Sequence, residues 1–261
     1  MKKTVQLWEN TPGMCQEIPV LDIYIPEKQT TDIAVVIMPG GGYTHRAVHE
    51  GQGYAEFLNS HGVAAFVCQY RVAPHVFPLP LLDARRAMRY VRHYSEEFGI
   101  SKNKVYIMGS SAGGHLAAIT STYYEPVAFE ALDAIDAQSA KPDGQILCYP
   151  VIDLVDLNIT HVGSAKSLLG EQYEELCRKL SPDLVADETT PKAFIWHTFD
   201  DGAVNVCNSL NYAKRLKLMN VPVEMHLYPH GAHGLGLAPN DPHVADWSER
   251  LIAWLKYNDE N

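Results

Sequence analysis

The sequence predicts a doubly wound α/β fold, in which helices flank a mainly parallel sheet of about eight strands. One observation behind this prediction is that strand and helix patterns alternate along the 261 residues, as they do in repeated β-α-β units. Another is the continuously apolar run Ile33–Met38, which is typical of a strand covered on both faces of a parallel sheet. With 46% apolar residues, a single domain over residues 1–261 can bury a substantial core.

The predicted elements follow one another in this order. Apolar or alternating runs predict strands at Val5–Leu7, Val20–Ile25, Ile33–Met38, Val63–Gln69, Lys104–Met108, Gln145–Tyr149, Ala193–His197 and Val223–Tyr228. Helical patterns cover Gln52–Ser60, Leu81–Phe98, the segment after Ser111, Val206–Met219 and Val244–Tyr257. Two segments, 125–142 and 156–191, have weak helical patterns. We expect them to be short excursions over the edge of the sheet where α/β proteins bind ligands.

Charge and composition exclude several classes of protein. A net charge of −10 disfavours nucleic acid and anionic membranes as partners. The lysines at the N-terminus are not followed by the apolar core of a signal peptide, and no apolar run approaches the length of a membrane span. The cysteines are odd in number and widely spaced, which favours a reducing compartment and therefore a cytoplasmic protein; they are Cys15, Cys68, Cys148, Cys177 and Cys207.

A Gly-x-Ser-x-Gly motif centred on Ser111 gives the strongest indication of chemistry. An apolar strand pattern precedes it and an Ala/Leu-rich helix follows, which is the context of a nucleophile on a strained turn. Gly109 and Gly113 provide small residues where the strand and helix backbones come close. Centring the turn on Ser110 would instead place Met108 at a tight position. We therefore predict that Ser111 is a catalytic nucleophile.

The segment Pro39-Gly40-Gly41-Gly42-Tyr43 follows the third predicted strand. It lacks the Lys-Ser/Thr of a P-loop and the spacing of a dinucleotide-binding turn. Glycines allow backbone N–H groups to point at a developing negative charge. We predict an oxyanion hole formed by the N–H groups of Gly41, Gly42 and Ala112, with a plain glycine turn as the alternative. Tyr43 either stacks on a sugar or lines an acyl pocket, or it is a packing residue.

A serine nucleophile requires a base, and the base requires an acceptor that orients it. Two candidate acids, Asp200 and Asp201, follow the strand Ala193–His197. We favour Asp201 because it precedes the turn that leads into the next helix. Asp153, after an earlier strand, is a third candidate, and each of these aspartates could instead cap a turn.

The base is expected after the last strand, where His230 and His233 stand. We favour His233 because glycines on both sides allow its loop to bend over the edge of the sheet. The other ten histidines are interpreted as structural. No spacing of His, Cys and Asp resembles a metal site, so we expect neither a metal nor an organic cofactor.

Together these motifs resemble the α/β-hydrolase superfamily, in the esterase/lipase branch related to hormone-sensitive lipase. The resemblance is closest to carbohydrate acetyl esterases often encoded beside xylan-degrading enzymes. The matching segments cover nearly the full length; they are Leu21-Asp22-Ile23-Tyr24-Ile25-Pro26, Pro39-Gly40-Gly41-Gly42-Tyr43, Gln69-Tyr70-Arg71-Val72-Ala73-Pro74, Pro80-Leu81-Leu82-Asp83-Ala84, Gly109-Ser110-Ser111-Ala112-Gly113-Gly114-His115, Ser181-Pro182-Asp183 and Gly231-Ala232-His233-Gly234.

The short excursions leave little material for a large lid domain, and the resemblance implies an α/β-hydrolase fold. It implies a Ser111, Asp201 and His233 triad and an oxyanion hole at the second and third glycines. It also marks Arg71 and Asp83 as recurrent, which we interpret as a structural pair. The chain departs from the branch pattern at Pro39, where a histidine usually stands, and at Ala203-Val204-Asn205, where Val-Val-Pro is common.

The resulting hypothesis is a serine esterase that removes acetyl or other short acyl groups from a sugar or oligosaccharide. The same triad would also cleave amides, as in a formamidase or small peptidase. A non-catalytic binding protein on this fold would have a degraded triad, and none is visible. The expected ligand is a small acyl ester such as an acetylated sugar, with no nucleic-acid or membrane partner, and a homodimer is left open.

Overall fold

The computed structural model describes residues 2–13, 17–128 and 133–260. Cys15 and part of the predicted excursion 125–142 therefore lie outside the described residues. The strands are β1 Lys2–Gln6, β2 Val20–Tyr24, β3 Ala34–Met38, β4 Ala64–Gln69, β5 Val105–Ser110, β6 Gln145–Cys148, β7 Ala193–Thr198 and β8 Val223–Tyr228.

From β3 onward, helices connect the strands. They are α1 Val48–Ser60, α2 Leu79–His93, α3 Ser95–Phe98, α4 Ser111–Thr122, α5 Val162–Leu169, α6 Tyr173–Leu176, α7 Pro182–Val185, α8 Cys207–Leu218 and α9 Pro242–Glu260, with a 3₁₀ turn at Gly170–Gln172 between α5 and α6. The predicted excursion 156–191 thus contains short helices and no described strand.

Eight strands form one sheet in the order β1-β2-β4-β3-β5-β6-β7-β8. The β1–β2 and β2–β4 pairs are antiparallel, and all later pairs are parallel. The register pairs Met38 with Gly109 and Thr198 with Tyr228. The loops that follow β3, β5, β7 and β8 therefore leave the sheet at the same edge, where a ligand site is expected.

Two apolar cores cover the two faces of the sheet. Val36 in β3 contributes to the core under α2, α4 and α8, whereas its neighbours Val35 and Ile37 contribute to the core under α1 and α9. This division follows from the period of two along a strand, which turns successive side chains to opposite faces. The predicted doubly wound fold is confirmed.

Some predicted boundaries were wrong. The first strand is Lys2–Gln6 and not Val5–Leu7, because it is an exposed edge strand that is held by pairing with β2 and lacks a buried face. The predicted helix Leu81–Phe98 is broken at Tyr94, where α2 ends and α3 begins. Three helices also begin earlier than predicted, α1 at Val48, α2 at Leu79 and α9 at Pro242.

A buried ion pair joins the loop after β4 to α2. The Arg71 guanidinium donates to both carboxylate oxygens of Asp83, with Nη2–Oδ1 at 2.6 Å and Nε–Oδ2 at 2.9 Å. Arg71 also donates through Nη1 to the Pro12 carbonyl at 2.6 Å. Both charged side chains are fully buried. The predicted Arg71–Asp83 pair is confirmed, and it fixes the N-terminal segment, β4 and α2 to one another.

We expect Asp83→Asn to destabilise the protein strongly, because it leaves the buried Arg71 charge uncompensated. The free energy of unfolding should fall by about 3–5 kcal/mol, measured by urea denaturation at neutral pH. The control is Glu97→Gln, which breaks the exposed pair with Lys3 and should cost about 1 kcal/mol or less. Equal, small losses in the two variants would contradict this structural role.

Candidate active site

Ser111 stands on a sharp turn between β5 and α4. Its φ is +52°, a left-handed conformation that is strained for a serine. A Cβ added at Gly109 would lie 2.1 Å from the Gly113 carbonyl oxygen, and one added at Gly113 would lie 2.1 Å from the Met38 carbonyl oxygen. The strand and helix backbones therefore touch at both flanking glycines, and only glycine fits there.

Ser111, His233 and Asp201 form a continuous hydrogen-bonded chain. The Ser111 Oγ–His233 Nε2 distance is 2.9 Å, and the His233 Nδ1–Asp201 Oδ2 distance is 2.7 Å. The carboxylate can only accept, so Nδ1 carries the proton and Nε2 is left to accept from the serine hydroxyl. The Asp201 side chain is 1% exposed and that of His233 is 23% exposed, so the acid end of this chain is buried while the imidazole is partly open to solvent.

Several donors surround the Asp201 carboxylate. Its Oδ1 accepts the N–H groups of Ala203 at 2.8 Å and Val204 at 2.9 Å, and its Oδ2 accepts from His197 Nε2 at 3.2 Å. Burial alone would raise the pKa of Asp201, but the hydrogen bonds from His197 and His233 and from the two backbone N–H groups outweigh it and hold the pKa well below its usual range. The carboxylate is therefore ionised and oriented before a ligand binds.

His197 is a buried partner of Asp201 that sequence reasoning did not single out. Its Nε2 also contacts the Val204 carbonyl at 3.0 Å, and its Nδ1 lies 2.8 Å from Ser209 Oγ. A carbonyl only accepts, so Nε2 carries the proton and donates to Asp201 as well. The available signal was a histidine at the end of a continuously buried strand, where a polar side chain requires a partner.

The rejected candidates have other partners. Ser110 is fully buried, and its Oγ lies 3.0 Å from the Tyr54 hydroxyl. Asp200 and His230 pair with each other at the surface, with Oδ2–Nδ1 at 2.8 Å. Asp153 accepts backbone N–H groups from the turn that follows it. None of these four residues takes part in the chain that ends at Ser111.

The glycine-rich loop after β3 places free donors beside Ser111. Gly41 and Gly42 have φ values of +131° and +63°, and a Cβ at Gly41 would lie 2.2 Å from the His45 carbonyl oxygen. Among the described residues, no acceptor bonds the N–H groups of Gly41, Gly42 or Ala112. These three groups can therefore donate to a negatively charged oxygen at Ser111.

Tyr43 is a packing residue, so a role in stacking on a sugar or lining an acyl pocket is excluded. Its side chain is 1% exposed, and its hydroxyl lies 2.8 Å from His115 Nδ1. His115 Nε2 donates to the Leu180 carbonyl at 2.7 Å, so Nδ1 accepts from Tyr43. Burial lowers the pKa of His115 to about 4, which keeps this imidazole neutral while it joins the glycine loop to the 156–191 excursion.

A buried carboxylate, Glu50, lies between the glycine loop and the loop of His233. Glu50 Oε2 accepts the Gly40 N–H at 2.8 Å, and Oε1 accepts the Tyr149 hydroxyl at 2.6 Å. That hydroxyl also accepts the Gly236 N–H at 3.0 Å, and the Tyr149 ring packs edge-on against the His233 ring. Burial raises the pKa of Tyr149 well above its usual value, so it remains a donor to Glu50. Sequence reasoning missed both residues.

Ser111 opens into a cavity of about 340 Å³. Its lining combines the glycine loop, the start of α1, the His233 loop and one residue of the predicted excursion; it consists of Gly41, Gly42, Thr44, His45, Ala47, His49, Glu50, Ser111, His161, His233 and Gly234. Burial, together with the nearby His233, lowers the pKa of His161. The 156–191 excursion thus reaches the site through His161. The His161 Nδ1 accepts a hydrogen bond from the Ser164 N–H.

The described residues contain no group of three His, Cys, Asp or Glu side chains arranged to hold a metal ion. None of their helices combines the length and the apolar character of a membrane span. The cytoplasmic location and the homodimer stay predictions.

Comparison with known proteins gives matches over most of the chain. A family model described as BD-FAE matches residues 21–216. Endo-1,4-beta-xylanase B of Butyrivibrio fibrisolvens is 33% identical over 236 residues, which are 88% of this chain and 36% of that protein. An acetylxylan esterase of Xylanibacter ruminicola is 30% identical over 243 residues, which are 91% of this chain and 45% of that protein. The chain thus spans less than half the length of either relative.

A solved structure matches almost the whole chain. The acetyl ester-xyloside bifunctional hydrolase from Caldicellulosiruptor lactoaceticus has 41% sequence identity and a TM-score of 0.91, and the match covers 98% of this chain and 96% of that one. This similarity confirms the predicted α/β-hydrolase fold and the predicted resemblance to esterases of this kind.

The depressed pKa of Asp201 predicts a pH-dependent contribution to stability. Because Asp in the unfolded chain has a pKa of about 3.9, this contribution is present above that pH and is lost as the pH falls below it. The loss should approach about 1.4 kcal/mol per pH unit and should be absent in Asp201→Asn. Urea unfolding between about pH 5 and pH 3 measures it. Asp246→Asn, which breaks an exposed pair with Arg250, is the control, and a wild-type pH dependence in Asp201→Asn would refute the assignment.

Proposed function

Because the chain belongs to the BD-FAE family and has the α/β-hydrolase fold, we propose that it is a serine esterase that hydrolyses acetyl and other short acyl esters through an acyl-enzyme. The observation that carries this proposal is the hydrogen-bonded chain Ser111–His233–Asp201, which ends in a small cavity beside three free backbone donors. We further propose acetylated sugars or oligosaccharides as substrates. The two relatives named for xylanase and acetylxylan esterase activity support that choice.

In the proposed mechanism, Ser111 Oγ attacks the acyl carbonyl carbon while His233 Nε2 accepts the hydroxyl proton. Asp201 stabilises the resulting imidazolium. The carbonyl oxygen becomes an oxyanion that accepts from the N–H groups of Gly41, Gly42 and Ala112. The alcohol leaves with the proton from His233, and water then attacks the acyl-enzyme in the same way and restores Ser111.

The ionisation state of the site supports this sequence of proton transfers. Asp201 is held as a carboxylate by its donors, so it cannot take the proton from His233 and instead favours the charged imidazole. Ser111 has the left-handed backbone conformation of an exposed nucleophile turn. Each group is positioned before substrate binds. This preorganisation provides most of the electrostatic stabilisation of the transition state in such sites.

We expect Ser111→Ala to abolish hydrolysis of p-nitrophenyl acetate, with kcat reduced by about 10⁴-fold or more. The matched control is Ser110→Ala, which removes a neighbouring hydroxyl outside the proposed machinery. Circular dichroism verifies that both variants fold. Wild-type turnover in Ser111→Ala would overturn the assignment of the nucleophile.

Two further measurements separate the reaction classes. Mass spectrometry of a rapidly quenched wild-type reaction should detect an acetyl group on Ser111 that is absent from Ser111→Ala. Parallel assays with an acetyl ester and a formyl amide distinguish an esterase from an amide hydrolase, because both reactions use the same triad. A higher kcat/KM for the formyl amide than for the acetyl ester would show that the protein is an amide hydrolase and not an esterase.

We expect Tyr149→Phe to lower kcat more than it changes KM. Loss of the hydroxyl leaves the Gly236 N–H without an acceptor and removes the hydrogen bond to Glu50 Oε1. It therefore loosens the loop that carries His233. The free energy of unfolding should fall by about 1–3 kcal/mol, with kcat reduced by roughly tenfold. Tyr54→Phe is the control, because its hydroxyl contacts Ser110 and Tyr149 but not Gly236. Equal effects on kcat in the two variants would contradict this positioning role.

A further inference from the structure

His49 lies between two cavities and borders both of them. One is the candidate active-site cavity that contains Ser111 and His233. The other is a larger cleft of about 550 Å³, and the two share His49 and Gly234 as lining residues. The His49 Nε2 lies 2.9 Å from the Gly234 carbonyl oxygen, which only accepts, so Nε2–H is the donor. This hydrogen bond connects the start of α1 to the loop of His233 across the boundary between the cavities.

The cleft beyond His49 is mainly apolar. Besides His49 and Gly234, it is lined by Gly53, Leu235, Leu237, Ala238, Pro239, Asn240 and Asp241. Gly53 lies one helical turn after His49 in α1, and a Cβ added there would meet no atom within 4 Å. The cleft therefore has room for a carbon chain, partly because Gly53 has no side chain.

The boundary between the cavities adjoins the loop that carries His233, and in the proposed mechanism the alcohol of an ester leaves beside His233. The leaving oxygen takes its proton from His233 Nε2, so the alcohol must lie next to that imidazole. Gly234 follows His233 directly in the chain, and its carbonyl holds the His49 ring. The apolar cleft is thus separated from the leaving-group position by His49 and its hydrogen bond to Gly234.

We infer that His49 is a specificity-determining residue: its imidazole closes the leaving-group side of the cavity and excludes esters of long apolar alcohols from the adjoining cleft. This inference rests on the proposed esterase function. It explains how a cavity beside an apolar cleft can favour small or polar alcohols, such as a sugar hydroxyl. Removing the ring would join the two cavities and add an apolar subsite for an alkyl chain.

The test compares kcat/KM for ethyl acetate and hexyl acetate, measured by titration of the released acid. In His49→Ala, the hexyl-to-ethyl ratio should rise about tenfold or more, because each buried methylene can contribute up to about fourfold. His49→Gln keeps a bulky N–H donor toward Gly234 and should retain a ratio close to that of the wild type. His93→Ala, at an exposed histidine of α2 outside both cavities, is the matched control for the assay. If His49→Ala fails to fold, His49→Ser takes its place as the variant with a small side chain.

Refilling the cleft provides an independent test. Adding Gly53→Met to His49→Ala places a flexible apolar side chain in the cleft, where nothing else occupies the space. The hexyl-to-ethyl ratio should return most of the way to the wild-type value. A ratio that stays high in this double variant would show that the alkyl chain does not enter this cleft, and would overturn the inference.

Three other outcomes would also overturn it. An unchanged hexyl-to-ethyl ratio in His49→Ala, with ethyl acetate still hydrolysed, would refute His49 as the barrier and leave the esterase proposal standing. If His49→Ala instead preferred p-nitrophenyl hexanoate over p-nitrophenyl acetate more strongly than the wild type does, with an unchanged hexyl-to-ethyl ratio for the alkyl acetates, the cleft would lie on the acyl side. If the wild type hydrolysed none of these esters, the proposed function would fail and the inference with it.

Discussion

The backbone contact among β3, β5 and α4 is the constraint on which the candidate site depends. A single added methyl at Gly113 would reach the Met38 carbonyl, and one at Gly40 would lie 2.8 Å from the Ser110 carbonyl and 2.4 Å from Glu50. These contacts place the first turn of α4 directly against the end of β3. The first turn of α4, with the free N–H of Ala112, consequently lies next to the glycine loop, whose N–H groups are also free. Ser111 and the proposed oxyanion donors are therefore one structural unit, in which neither part can shift alone.

Buried carboxylates connect this unit to the rest of the molecule. Burying a charge is costly unless donors compensate it, and each of the three carboxylates that join segments here has donors from another segment. Asp83 accepts hydrogen bonds from Arg71, Glu50 accepts from the Gly40 N–H and the Tyr149 hydroxyl, and Asp201 accepts from His197, His233 and the turn that follows it. The cost of leaving Glu50 or Asp201 unpaired favours the single arrangement in which the loops after β3, β7 and β8 meet.

The sequence was sufficient to predict the fold class and the geometry at Ser111, because these depend on local patterns. Alternating strands and helices predict the sheet, and paired glycines predict a turn where two backbones touch. It was not sufficient for Glu50, Tyr149 and His49, since each acquires its role from a partner far away in the chain. His197 was missed although its partner Asp201 is only four residues away. Glu50 shows the difference well: its only local signal is a carboxylate on the buried face of α1, whereas its partner Tyr149 is 99 residues away. β1 was misplaced for a similar reason, since pairing with β2 defines it and burial does not.

The loop that carries His233 combines flexible residues with several fixed attachments. Gly231, Gly234 and Gly236 all have positive φ, so this backbone has little intrinsic preference for one conformation. Attachments compensate for that freedom: the Thr198 hydroxyl donates to the Gly231 carbonyl, Asp200 accepts the Gly231 N–H, and Tyr149 accepts the Gly236 N–H. Asp200, a candidate acid by sequence, thus bonds the loop that carries the proposed base, His233, and does not contact His233 itself. Glycines let the His233 imidazole reach Ser111, and hydrogen bonds at both ends of the loop hold it there. In the proposed mechanism this matters, because a base that must be ordered during the reaction would lose much of the advantage of preorganisation.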